Sequence, residues 1–135
     1  MFIQNISRQD CFDGNHINPG KAVLIQISDP GNIFPVPSYN FAKVFHFEFL
    51  DVDERSDVDE RFKCSLWQGK RLVEILQNAL EDEMNVIVHC TAGICRSGAV
   101  VEVGVMMGFE DTNKHRQPNT LVKFNMMKSL GWTYD

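Results

Sequence analysis

The stretch NVIVHCTAGICRSGAV, residues 85–100, carries the decisive information about this 135-residue chain. It opens as a short apolar run, NVIVH from Asn85, of strand length and β-branched composition. Thr91, Ala92 and Gly93 follow, small enough for the chain to curl tightly. The segment SGAVVEVGVMMGF from Ser97 is then mostly apolar and long enough for a buried helix. Strand, tight loop and helix N-terminus together present backbone N–H groups to an anion. Cys90 sits at the bottom of that cup, where oriented amides, the helix start and Arg96 all favour a thiolate. Arg96 lies six positions after Cys90, so a loop wrapped around an oxyanion turns both side chains toward one centre. Its planar fork suits two equatorial oxygens of a phosphoryl group, a geometry lysine does not reproduce.

Working outward, two further runs predict buried strands: AVLIQIS from Ala22 and KVFHFEFLD from Lys43. SDPGN from Ser28 and FPVPSYN from Phe34 separate them with turn chemistry. LWQGKRLVEILQNALEDE places Leu72, Ile75, Leu76 and Leu80 on one helical face, which makes a βαβ unit with the strands on either side. In the tail, PNTLVKFNMMKSLGW predicts a helix opening at Pro118 and Asn119 with Leu121, Phe124, Met127 and Leu130 on one side. The expected architecture is α/β: a single domain, 1–135, with a mostly parallel central sheet flanked by helices.

Composition narrows the function. A net charge of −5 disfavours nucleic acid and anionic membranes as partners. The opening MFIQNISRQDCFDG lacks a cationic start and a long apolar stretch, and no run approaches a membrane span, so the cytoplasm is the expected location. The four cysteines, Cys11, Cys64, Cys90 and Cys95, form no CxxC pair and no zinc-spaced cluster. Neither a metal nor another cofactor is expected.

A cysteine with an arginine six residues later recurs by chance. Its company here, a preceding strand, His89, Gly93, Ser97, Gly98 and a following helix, does not. HCTAGICRSG resembles the signature of the cysteine-based protein tyrosine phosphatases: His-Cys, five residues, then Arg-Ser/Thr. The compact length, with the signature in the second half, is similar to the dual-specificity branch, and the HCxAGxxRS form to small bacterial and phage-encoded members. QPNTLVKF is similar to the Pro-Asn that opens that branch's last helix.

The resemblance implies a two-step transfer without metal, in which Cys90 attacks phosphorus and water hydrolyses the phosphocysteine. It implies a phosphate cradle of Thr91, Ala92, Gly93, Ile94, Cys95 and Arg96, a supporting His89, and a Ser97 hydroxyl that assists thiolate departure or caps the next helix. It also implies an aspartate that protonates the leaving oxygen. Asp51 ends its strand in the family's Phe-x-Asp fashion and is the first choice, 39 positions before Cys90. Asp53, Asp57 and Asp59 are the alternatives, and Asp57 or Asp59 better fits the spacing of compact members. Cys95 replaces the usual small or hydroxyl residue and is read as half-buried filler or as an oxidative partner for Cys90.

TAGIC carries no lysine, whereas lipid-phosphate relatives line this cup with basic residues, so the expected substrate is a phosphorylated side chain in a protein rather than an inositol lipid or RNA end. The chain has little length to spare for segments that deepen a phosphotyrosine-only cleft, so a shallow site that takes phosphoserine and phosphothreonine besides phosphotyrosine is expected. Two other readings share the motif: a rhodanese or Cdc25-like cysteine enzyme, and a module that binds phosphate without turnover.

Overall fold

The structure is a computed structural model and describes residues 1–132. Five parallel strands, β1 (Phe2–Ser7), β2 (Ala22–Ser28), β3 (Lys43–Glu48), β4 (Asn85–Cys90) and β5 (Glu110–Asp111), form one sheet in the order β3-β2-β4-β1-β5. Its helices are α1 (Arg8–Asp13), α2 (Leu66–Glu81), α3 (Arg96–Met107) and α4 (Thr120–Ser129). The α/β architecture expected from periodicity is present, and every strand pair is parallel. The strands β1 and β5 carry no alternation that a sequence reading would detect.

β2 is buried along its whole length, as a central strand covered on both faces must be. On one face, Ile3, Ile25, Val86 and Val88 pack with Leu72, Leu76, Val100 and Met126 from α2, α3 and α4. On the other, Ile6, Leu24 and Ile87 meet Cys11 of α1 and Phe41. Removing large aliphatic side chains from such a core costs about 2–5 kcal/mol each.

A reciprocal capping box starts α2: Ser65 Oγ accepts from Gln68 N–H, and Gln68 Oε1 accepts from Ser65 N–H at 2.9 Å. Of the four residues expected on its inner face, Leu72, Ile75 and Leu76 are buried and Leu80 packs at the edge. Gly69 lets α2 approach α4, because a Cβ there would strike Asn125. In α4 the inner face is Leu121, Val122, Asn125, Met126 and Met127, whereas Phe124 points outward, half exposed. Asn125 draws the helix inward, donating to the Cys64 carbonyl at 2.9 Å. No helix among the described residues is long and apolar enough to cross a membrane.

The consequence for function is positional. In a parallel sheet all strands end on one edge, and ligands bind beyond those carboxyl ends. Arg8 follows β1, Asp29 follows β2, Phe49 and Asp51 follow β3, and Cys90 ends β4.

Candidate active site

Between β4 and α3 the chain makes a tight loop whose carbonyls are tied to the scaffold. Thr91 O accepts from Arg8 N–H (3.1 Å), and Ile94 O accepts from Gln117 N–H (3.1 Å). Cys95 O accepts from the N–H groups of Ala99 and Asn119, both at 2.9 Å. The buried amide of Asn5 donates to Gly93 O at 2.7 Å and also to His115 O at 2.9 Å. In a trans peptide the N–H opposes its carbonyl. With these carbonyls held outward, the N–H groups of Ala92, Ile94, Cys95 and Arg96 turn toward the enclosed centre. Gly93 adopts φ +76, and a Cβ there would fall on the backbone of Ile6 and Ser7, so only glycine lets the loop lie against β1.

Cys90 is buried at the base, and its Sγ shares a hydrogen bond with Ser97 Oγ at 3.1 Å. The helix begins at Arg96, one residue before the expected start. Cys95 is therefore the N-cap position, and it makes no side-chain capping bond. Ser97, inside the first turn, is left to the thiol.

The Arg96 guanidinium is 4 % exposed and held from three sides. Nη1 donates to Asp29 Oδ1 at 2.6 Å and to the Phe49 carbonyl at 2.8 Å; Nη2 donates to Thr91 Oγ1 at 3.1 Å. Nε is buried and has no acceptor among the described residues. A buried donor left unpaired costs about 1–3 kcal/mol, and native sites that tolerate it await a ligand or solvent acceptor.

The four candidate acids are separated by their surroundings. Asp51 Oδ1 accepts from Asn119 Nδ2 at 2.8 Å, and Asn119 also donates to Val52 O, caps α4 through Val122 N–H and bonds the loop at Cys95. Asp51 is thus fastened to the same residue as the anion loop, and its charge reaches Cys95, whose thiol is pushed up by burial first and then by Asp51. Asp53 closes a turn onto Arg55 N–H and pairs with that side chain at 3.7 Å. Asp59 caps the short turn Glu60–Phe62 and is held below the ordinary carboxylate range by its hydrogen bonds from Arg61. Asp57 is exposed in the same loop.

No family model matches the chain, and no curated protein sequence is significantly similar to it. Solved structures do match. The human tyrosine phosphatase-like serine/threonine/tyrosine-interacting protein aligns with a TM-score of 0.63 at 16% identity, over 96% of this chain and 91% of that one. Human DUSP28 aligns with a TM-score of 0.63 at 14% identity, over 94% and 90%. A mouse putative dual specificity phosphatase, complexed with zinc tungstate, aligns with a TM-score of 0.58 at 14% identity, over 91% and 78%. This chain has the dual-specificity phosphatase fold.

Within that dual-specificity phosphatase fold, His89 lies fully buried beside the Cys90 backbone, and neither ring nitrogen has a geometric hydrogen-bond partner among the described residues. Burial pushes its pKa down to about 4, aided by the nearby cations, so the ring is uncharged at neutral pH and brings no positive charge to the thiol. Cys11 and Cys64 are buried thiols pushed up to about 11 and about 12 by burial, inert fillers away from the loop.

The sequence reading missed three groups that shape the site: Asp29, the Phe49 carbonyl and Asn5. Asp29 sits in SDPGN, which reads as a turn, and Asn5 interrupts what would otherwise be a strand pattern. A buried asparagine within an apolar segment is the one signal available, because its amide must find partners.

Proposed function

We propose that the protein is a metal-independent cysteine phosphatase that hydrolyses phosphorylated side chains of proteins, phosphotyrosine foremost and phosphoserine or phosphothreonine as well. The observation that carries this reading is the Arg96 guanidinium: pinned through Nη1 and Nη2, buried, and presenting an unpaired Nε–H beside a loop of inward amides and the Cys90 thiol. That is a receptor for a tetrahedral dianion with a nucleophile at its base.

The steps follow from the positions. The phosphoryl oxygens take the amides of Ala92, Ile94, Cys95 and Arg96 and the Nε–H of Arg96, which stabilises charge on the equatorial oxygens during transfer. Cys90 Sγ forms a bond to phosphorus as the bond to the leaving oxygen breaks, and Asp51 delivers its proton to that oxygen. Water then attacks the phosphocysteine while Asp51 takes a proton. The S–P bond breaks, releasing phosphate, and the Ser97 hydroxyl donates to the returning thiolate.

Hydrolysis of p-nitrophenyl phosphate, in EDTA and reductant, by the wild type and Cys90→Ser tests the reading. Turnover that survives the chelator and vanishes in the variant is the expected result. A folded wild type without turnover would overturn it in favour of phosphate binding without chemistry.

A further inference from the structure

Beside the anion loop lies an open groove of about 480 Å³ lined by Arg8, Gln9, Phe12, Pro35 and Thr91. This volume lies within the range of ligand sites, and Thr91 belongs to both features, since its Oγ1 accepts from Arg96. The groove therefore adjoins the loop through Thr91.

The groove is held in shape from behind. Arg8 Nη2 donates to Ile33 O at 2.6 Å, and Gln26 Nε2 donates to Pro35 O at 2.8 Å. Gln26 is itself bonded through Oε1 to His46 Nε2 at 2.7 Å, and the His46 ring stacks on Phe34 with centroids 4.0 Å apart. Segment 33–36 thus stands as a fixed wall, although Ile33 is 83% and Val36 79% exposed. Phe12, on α1 opposite, is 59% exposed. Exposed large apolar groups clustered beside and within a groove, here Ile33 and Val36 next to Pro35 and Phe12 in the lining, mark a binding surface. Among the described residues of the lining, Arg8 alone carries a charge, on a chain whose net charge is −5.

We propose that this groove is a substrate-recognition site for the polypeptide that flanks the phosphorylated residue, selecting a bulky apolar side chain and a carboxylate close to it. The apolar group packs between Phe12 and Pro35, and the carboxylate pairs with the Arg8 guanidinium, which keeps donors beyond the one given to Ile33. The proposal rests on the phosphatase reading for turnover, while its binding preference can be measured without chemistry.

The test compares two phosphotyrosine peptides alike except for their flanks, one with leucine and glutamate, the other with glycine and lysine. Their kcat/KM is measured with the wild type, Phe12→Ala and Arg8→Glu, alongside p-nitrophenyl phosphate. Binding of both peptides to Cys90→Ser is followed by fluorescence anisotropy. The wild type is expected to favour the leucine-glutamate peptide by about tenfold, mainly through KM. Phe12→Ala is expected to lose most of that preference with p-nitrophenyl phosphate turnover within about twofold of wild type, and Arg8→Glu to reverse the ratio of the two peptides. Turnover of both peptides at equal kcat/KM would overturn the groove and leave the phosphatase standing. Selective binding to Cys90→Ser with no turnover by the wild type would overturn the phosphatase and leave the groove. Arg8→Glu that retains the wild-type ratio would overturn the assignment of the carboxylate to Arg8.

Discussion

Asp29 Oδ1 accepts a 2.6 Å hydrogen bond from Arg96 Nη1 across 67 positions of sequence, joining the loop after β2 to the first turn of α3. The arginine is buried and the aspartate is half exposed at the rim, so the pair works as a bracket more than as a stability element. It occupies Nη1 and leaves the buried Nε without an acceptor among the described residues. Asp29→Ala is expected to weaken inhibition by phosphate or tungstate about tenfold, with Asp29→Asn retaining most of the affinity because an amide oxygen can still accept. Inhibition constants from steady-state hydrolysis measure this, and equal affinity in all three proteins would mean that the bracket has no role.

Asp51 is distinguished from its neighbours by its tie to Asn119. Asp51→Asn should lower kcat on a phosphopeptide about 100-fold or more, the usual scale of proton transfer from a positioned acid. The deficit should be smaller on p-nitrophenyl phosphate, whose leaving group scarcely needs a proton. Asp53→Asn, Asp57→Asn and Asp59→Asn should stay within about threefold of wild type on the same assay. A larger loss at Asp57 than at Asp51 would reassign the acid.

Among the described residues the Ser97 hydroxyl bonds only to the Cys90 thiol, 3.1 Å away. Ser97→Ala should slow release of phosphate more than attack, giving a burst of p-nitrophenol of about one equivalent per enzyme followed by slow turnover. Stopped-flow absorbance shows the burst, and a phosphorylated Cys90 should be detectable by mass spectrometry of acid-quenched protein.

Gly93 combines φ +76 with contact against the Ile6–Ser7 backbone. Gly93→Ala therefore meets both backbone strain and a clash that no rotamer relieves, a cost of about 3 kcal/mol or more. Urea denaturation should show the loss, and the folded fraction should bind phosphate poorly because the loop has been pushed off β1.

His89 ties stability to pH. Its ordinary pKa is 6.5 and burial lowers it to about 4, so the unfolded chain binds a proton over that interval and the folded one does not. Stability from this group is fully present above pH 6.5 and falls as pH drops toward 4. Between pH 7.5 and 5 the loss amounts to about 2 kcal/mol. Urea midpoints at the two pH values should show it in the wild type, and His89→Asn should be flatter over the same interval.

The local sequence determined the layout of three of the four helices, all but α1, and three of the five strands, because apolar period and turn residues act over a few neighbours. β2, β4, α2 and the loop from Cys90 to Arg96 were legible for that reason. β1 was not: Ile3 and Ile6 face opposite sides of the sheet, and the polar Gln4 and Asn5 between them are buried, so alternation is lost. Phe124 fits the helical stripe yet faces outward, since Asn125 occupies the inner face through its bond to Cys64 O. Within the site, Cys90 and Arg96 could be found from the motif, being six residues apart on one loop. Asp29, Asn5, the Phe49 carbonyl and the tie of Asp51 to Asn119 were decided only by tertiary structure. These groups belong to the ends or loops of β1, β2 and β3, and the order β3-β2-β4-β1 gathers them at one edge of a parallel sheet. No local pattern encodes that gathering, because it depends on which strand lies beside which.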